Sequence, residues 1–155
     1  IGLDAALQEE SRLIFTEGTM QFGQGLELSD CNALGWHNNS WGLNQKEDGA
    51  FRPDTFSHEQ YLQITEGEKR VLISGCSHKG ILNIMDAFRP DILIGGFHFM
   101  KITEEETLAA AAERLLEYDT VYYTGHCTGE RQYAYLKEIM GNRLHCLSTG
   151  KILEI

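Results

Sequence analysis

From His58 onward, short apolar runs alternate with stretches of helical periodicity. Tyr61, Leu62 and Ile64 predict a strand, TEGEK predicts a hairpin turn, and RVLISG predicts its buried partner. ILNIMDAF sets Ile81, Leu82, Ile84, Met85 and Phe88 on one broad stripe and stops at Pro90, as an amphipathic helix would. A second helix is predicted from Thr103 and Glu106, spaced as a capping box, with Leu108, Ala112, Leu115 and Leu116 on one face. A third is predicted from Thr128 as N-cap to Gly141 as C-cap, carrying Tyr133, Leu136 and Met140. Between these helices lie the apolar runs ILIGGF and VYYTG. Strands alternating with helices imply right-handed crossovers and a sheet covered by helices. LHCL and KILEI at the end predict edge or hairpin strands.

Upstream the rhythm is weak. Asp4 to Arg12 predicts a helix and Leu13 to Thr16 a short strand. The Gly-, Asn- and Ser-rich segment after them then makes residues 1–56 an irregular, lid-like part of a single domain spanning 1–155. At 155 residues and 42% hydrophobic, one core is expected. The net charge of -10 excludes a nucleic-acid or anionic-membrane surface, since phosphate binding needs clustered cations, and Glu104, Glu105 and Glu106 read as a solvated face. No run approaches the roughly 18 apolar residues of a membrane helix and no signal peptide opens the chain, so a cytoplasmic location is expected. The first residue is Ile1, not Met, which points to a segment upstream. Cys31, Cys76, Cys127 and Cys146 form no C-x-x-C pair, so no zinc ribbon or thioredoxin-like motif is present.

Chemistry enters through a recurrence. VLISG runs into Cys76, Ser77 and His78; ILIGGF runs into His98; VYYTG runs into His126. In an open α/β sheet, reactive groups collect beyond the carboxyl ends of the strands, so three neighbouring strands would aim three imidazoles at one cleft. Imidazole is the commonest metal ligand, and a metal with an open position makes hydroxide available near neutral pH. A single histidine in such a turn ordinarily caps or hydrogen-bonds; three at matching positions favour ligation over that reading. No H-x-H or H-x-x-x-H pair is present, so the fold itself must assemble the site. GCSHKG approaches the G-x-S-x-G nucleophile elbow, but its second glycine would fall at Lys79, which makes Ser77 a cap or a substrate contact. Cys76 and Cys127 stand close enough to reach a metal, though a small buried residue beside a turn is the plainer role.

The segments HEQYLQITEGEKRVLISGCSHKGILNIM, PDILIGGFHF and VYYTGHCTGERQYAYLKE resemble the metallo-β-lactamase superfamily, in particular its dihydropterin-ribofuranosyl-aminobenzene-phosphate synthase-like branch. The resemblance implies an α/β fold, an αββα sandwich present here as its C-terminal portion, with one or two metals at the edge of two sheets. It implies His126 as a late metal ligand and His78 as another, in the turn where many relatives carry a bridging Asp. His98 would contact substrate or shuttle a proton, and Ser77, Cys76, Cys127 and Thr128 would line the substrate side. His58 falls near an earlier ligand position but reads as a surface histidine before a strand. The implied cofactor is a divalent metal, zinc first, with iron or manganese as alternatives. The implied partner is a small-molecule substrate attacked at a phosphoester or acyl group. The family's H-x-H-x-D-H segment is missing from these residues. The expectation is therefore a hydrolase that needs its N-terminal half or a second copy, set against a non-catalytic half-domain.

Overall fold

The computed structural model describes residue 7, residues 9–36 and residues 43–154. Among the described residues nine strands and three α-helices follow one another: β1 (Thr19–Gly23), β2 (Leu26–Ser29), β3 (Asn44–Glu47), β4 (Ala50–Pro53), β5 (Tyr61–Glu66), β6 (Lys69–Ile73), α1 (Ile81–Phe88), β7 (Ile92–Ile94), α2 (Glu105–Leu116), β8 (Val121–Thr124), α3 (Glu130–Met140) and β9 (Leu144–Cys146). Seven strands form one mixed sheet in the order β1-β2-β5-β6-β7-β8-β9, and β3 pairs with β4 in a separate exposed hairpin. The pairings β1/β2, β2/β5 and β5/β6 are antiparallel. From β6 through β9 every pairing is parallel, as the expected crossovers require.

Alternation decides what packs where. Leu72, Leu93, Tyr122 and Leu144 stand in register on one face of the parallel strands and are fully buried. They meet Ile81, Ile84 and Met85 of α1, Leu108, Ala112 and Leu115 of α2, and Leu136 and Met140 of α3 in one core. All three strand–helix–strand units expected after TEGEK therefore form.

Several expected details differ. Residues 19–53 contain four strands where an irregular lid was expected, because two tight glycine turns close hairpins the polarity pattern disguises. At Gly25, φ is +73° and a Cβ would lie 2.2 Å from the Thr65 carbonyl oxygen, so only glycine lets β1/β2 close against β5. No strand covers Leu13 to Thr16; of the expected Asp4–Arg12 helix, residues 4–6 and 8 lie outside the described residues, and residues 10–12 are turn or irregular. The Thr103 hydroxyl bonds Glu104, and no side chain caps α2, so the capping box does not form. Gly129, not Thr128, precedes α3; Gly80, not Ser77, precedes α1; Gly141 follows α3 as expected. LHCL supplies the edge strand β9, whereas KILEI forms no strand in its described part.

Candidate metal centre

The carboxyl ends of β6, β7 and β8 lie side by side, so the three loops carrying His78, His98 and His126 leave one edge of the sheet. Each loop contains a non-glycine residue in the left-handed region: Ser77 at φ +60°, His98 at +54° and His126 at +45°. Such a conformation costs roughly 1–2 kcal/mol for an L-residue and gathers where backbone strain serves a site. Three instances at three adjacent strand ends are hard to account for by turn-making alone.

Two glycines let these loops meet. A Cβ on Gly95 would lie 2.8 Å from Ser74, and one on Gly96 would lie 2.2 Å from the Cys127 sulfur. The Gly96 N–H donates to the Gly75 carbonyl at 2.8 Å and the Gly95 N–H to the Tyr123 carbonyl at 2.9 Å, which extends the ladder past the strands. The Ser77 hydroxyl is fully buried and 2.6 Å from that of Ser74. The Thr128 hydroxyl is equally buried, 2.5 Å from Thr124, and accepts the Phe97 N–H at 2.9 Å. Both hydroxyls thus tie the loops together.

His78 is held on several sides. Its backbone N–H donates to Glu59 Oε1 at 2.7 Å, its Nδ1 lies 3.6 Å from the same oxygen, and its ring packs 4.8 Å from Phe56. The second Glu59 oxygen accepts the Lys79 N–H at 3.0 Å and the Tyr61 hydroxyl at 2.6 Å. The Glu59 carboxylate thus stands behind His78, on the side where outer-shell carboxylates stand behind metal-binding histidines. The His98 ring stands edge-on to His78, centroids 4.4 Å apart. Burial, then the charges of His78 and Lys101, hold His98 below the usual imidazole range; Glu59 opposes them and His126 adds weakly. His98 is therefore neutral near pH 7.

His126 is exposed and lines a cleft of about 420 Å³ with Gly75, Gly95, Gly96 and Gly125. Its charge reaches His98, yet among the described residues the three imidazoles do not bring one ring nitrogen each within 4.8 Å of the others. Among the described residues the trio that does meet this distance is Cys76, His98 and Cys127. The Cys127 thiol is pushed up to about 12 by burial first and by Cys76 next, with the His98 N–H opposing. His58 is exposed and its ring lies 6.3 Å from Phe56.

The donor set suits a divalent cation. His78 presents an imidazole at the rim of the loop after β6 and His126 one from the loop after β8, with the His98 loop between them; both are borderline ligands of the kind zinc takes. Two imidazoles fall one short of the three protein ligands of an open catalytic zinc site. Sequence reasoning missed Glu59, Lys79 and Phe56. Lys79 is almost fully buried; its ammonium donates to the Asp30 carbonyl and, at 2.6 Å, to Asn32 Oδ1, which fastens the site loop to the end of β2. The available signal was Glu59 two residues before Tyr61 on the same strand face, a carboxylate in line with a core position.

No family model matches the chain. Over 121 residues it is 28% identical to the 7,8-dihydropterin-6-methyl-4-(β-D-ribofuranosyl)-aminobenzene-5'-phosphate synthase of Methanocaldococcus jannaschii, a match covering 73% of this chain and 41% of that protein. The fold superposes on the crystal structure of Tm1679, a metal-dependent hydrolase of the β-lactamase superfamily, with a TM-score of 0.75 and 25% identity, over 96% of this chain and 60% of that one. The chain thus spans less than two thirds of either protein, and both are named for enzymatic activities. A mixed sheet with helices packed on it and likeness in both sequence and structure give the chain a metallo-β-lactamase-like fold, similar to that superfamily's dihydropterin-ribofuranosyl-aminobenzene-phosphate synthase-like branch.

Proposed function

We propose that this chain carries part of the metal site of a metal-dependent hydrolase acting on a small molecule with a phosphoester or acyl group. His78 and His126 would hold the cation, zinc in preference to iron or manganese. The observation that carries this reading is the placing of His98, His126 and the turn before His78 in left-handed backbone at three adjacent strand ends. When bound, a divalent cation there supplies a Lewis acid and makes hydroxide available near neutral pH. Glu59 holds the loop at the His78 backbone N–H and stands 3.6 Å from its Nδ1. His98, neutral and beside His78, is placed to accept a proton from attacking water or return one to the leaving group. Cys76, only partly buried, takes the substrate-side role, while Ser77, Cys127 and Thr128 keep the loops in place from within.

Tm1679 bears the name of a hydrolase and the archaeal relative that of a synthase, so the test must read both binding and turnover. Metal analysis of freshly purified protein should find a cation that His126→Ala loses, with phosphodiesterase activity on a chromogenic ester falling in step. Less than a tenth of an equivalent, unchanged by that variant, would favour a non-catalytic half-domain.

The open face of the sheet adds a requirement. Ile64, Val71, Ile73, Ile92, Ile94, Val121 and Tyr123 all point away from the helices, and Ile73 is 37% exposed. Apolar surface of this extent favours a second layer, supplied for this chain alone by a second copy. Light scattering should give more than the 17.5 kDa of one chain; a monomer mass would refute it.

A further inference from the structure

Cys76, His98 and Cys127 come from three successive strand-end loops, and their ligand atoms all lie within 4.8 Å of one another. We propose that they form a second, soft metal site, a Cys2His centre for a thiophilic cation such as Zn²⁺, distinct in its donors from His78 and His126. Ligand atoms around a tetrahedral zinc are separated by roughly 3.3–3.8 Å, so closing the trio requires side-chain adjustment and no movement of the sheet. The trio is built into the fold. The Cys127 sulfur lies where a Cβ on Gly96 would be, 2.2 Å away, so the loop after β7 has given up a side chain to admit it. Cys127 is 2% exposed, and its thiol is 3.6 Å from the Cys76 carbonyl oxygen, which brings the two cysteine-bearing loops together. Cys76 and His98 are only partly buried, which leaves a route for the cation and an open fourth position.

Two thiolates and one imidazole select for softer cations than an imidazole and carboxylate set does, and three protein ligands with one open position are the pattern of zinc sites that bind an exchangeable group. Binding releases the two thiol protons to solvent, and the cation's charge then falls on two sulfurs and one ring nitrogen. His98 lies against His78, so a cation held by the trio would sit beside the imidazole site and occupy a His98 nitrogen; the proton transfer given to His98 above belongs to the chain with the trio empty.

The test is anaerobic titration of the reduced, metal-free chain with Co²⁺, which separates sulfur from nitrogen ligation by the thiolate-to-cobalt charge-transfer band in the near ultraviolet. The wild-type chain should show that band, and His126→Ala should keep it at full intensity. Cys127→Ser should lose it and weaken Co²⁺ binding at least tenfold. Cys76→Ser, at a partly exposed position, repeats the measurement if the buried variant misfolds. Cobalt binding without the band, a band that survives both serine variants, or no binding at all would overturn the proposal. A thiolate band in a wild-type chain that holds no further cation sensitive to His126→Ala would leave this proposal standing and count against the function proposed above.

Discussion

The two faces of the sheet are made from alternate residues of the same three strands, and they fare differently. Leu72, Leu93 and Tyr122 are fully buried beneath α1, α2 and α3, while on the opposite face Val71 is buried but Ile73 is exposed and Ile92, Ile94, Val121 and Tyr123 are half-buried, and among the described residues no helix of the core packs on them. In parallel sheets both faces are normally covered, and strands buried on both sides read as continuous apolar runs. VLIS and ILIG are such runs. Their composition thus specifies two covered faces, and this chain's helices cover one. The site stands at the edge the two faces share, so one layer suffices to place its residues, whereas enclosing a substrate calls for the other.

That contrast is open to direct attack. The largest effect should come from the closed face: Leu93→Ala, at a fully buried position between Leu72 and Tyr122, should cost about 3 kcal/mol in chemical denaturation. At the shared edge, Glu59→Gln should cost roughly 1.5–3 kcal/mol, because a buried carboxylate accepting three hydrogen bonds becomes an amide with one acceptor oxygen. The same variant should weaken cation binding roughly 10–100-fold if His78 is a ligand, the usual range for losing an outer-shell partner. On the open face, Ile73→Thr should change stability by less than about 1 kcal/mol. A loss as large as that of Leu93→Ala would mean that Ile73 is covered in solution.

The smallest effect is on the acid limb. Burial raises the Asp30 carboxyl, but the N–H groups of Asn32 and Gly18 and the Lys79 charge outweigh it and leave it below the usual range. A carboxyl depressed in the fold adds stability above its unfolded value, near 3.9, and that stability is lost as pH falls through the folded value. Asp30→Asn should therefore flatten the pH dependence of the melting temperature at the acid end and leave it unchanged in shape near pH 7.

Much of this was legible in the sequence. The apolar stripe of ILNIMDAF, the turn TEGEK and the recurrence of histidine after three apolar runs each correspond to an element or a strand end in the structure. These are local signals: a period, a turn dipeptide, a residue at a fixed offset. What escaped depends on distant parts of the chain. Glu59 matters only because β5 runs beside the loop after β6, and Lys79 only because that loop meets Asp30, 49 residues away. The left-handed backbone at Ser77, His98 and His126 is imposed by loops crowding one another, and no residue type announced it. The hairpins of residues 19–53 escaped because polar and small residues dilute the alternation that marks a strand.

Whether His78 and His126 hold the cation is decided by equilibrium Zn²⁺ titration of four proteins: wild type, His78→Ala, His126→Ala and the control His58→Ala, whose imidazole is exposed at the surface. Binding outside the thiolate trio should weaken tenfold or more in the first two variants and match wild type in the third. The same affinity in all four would show that neither histidine is a ligand.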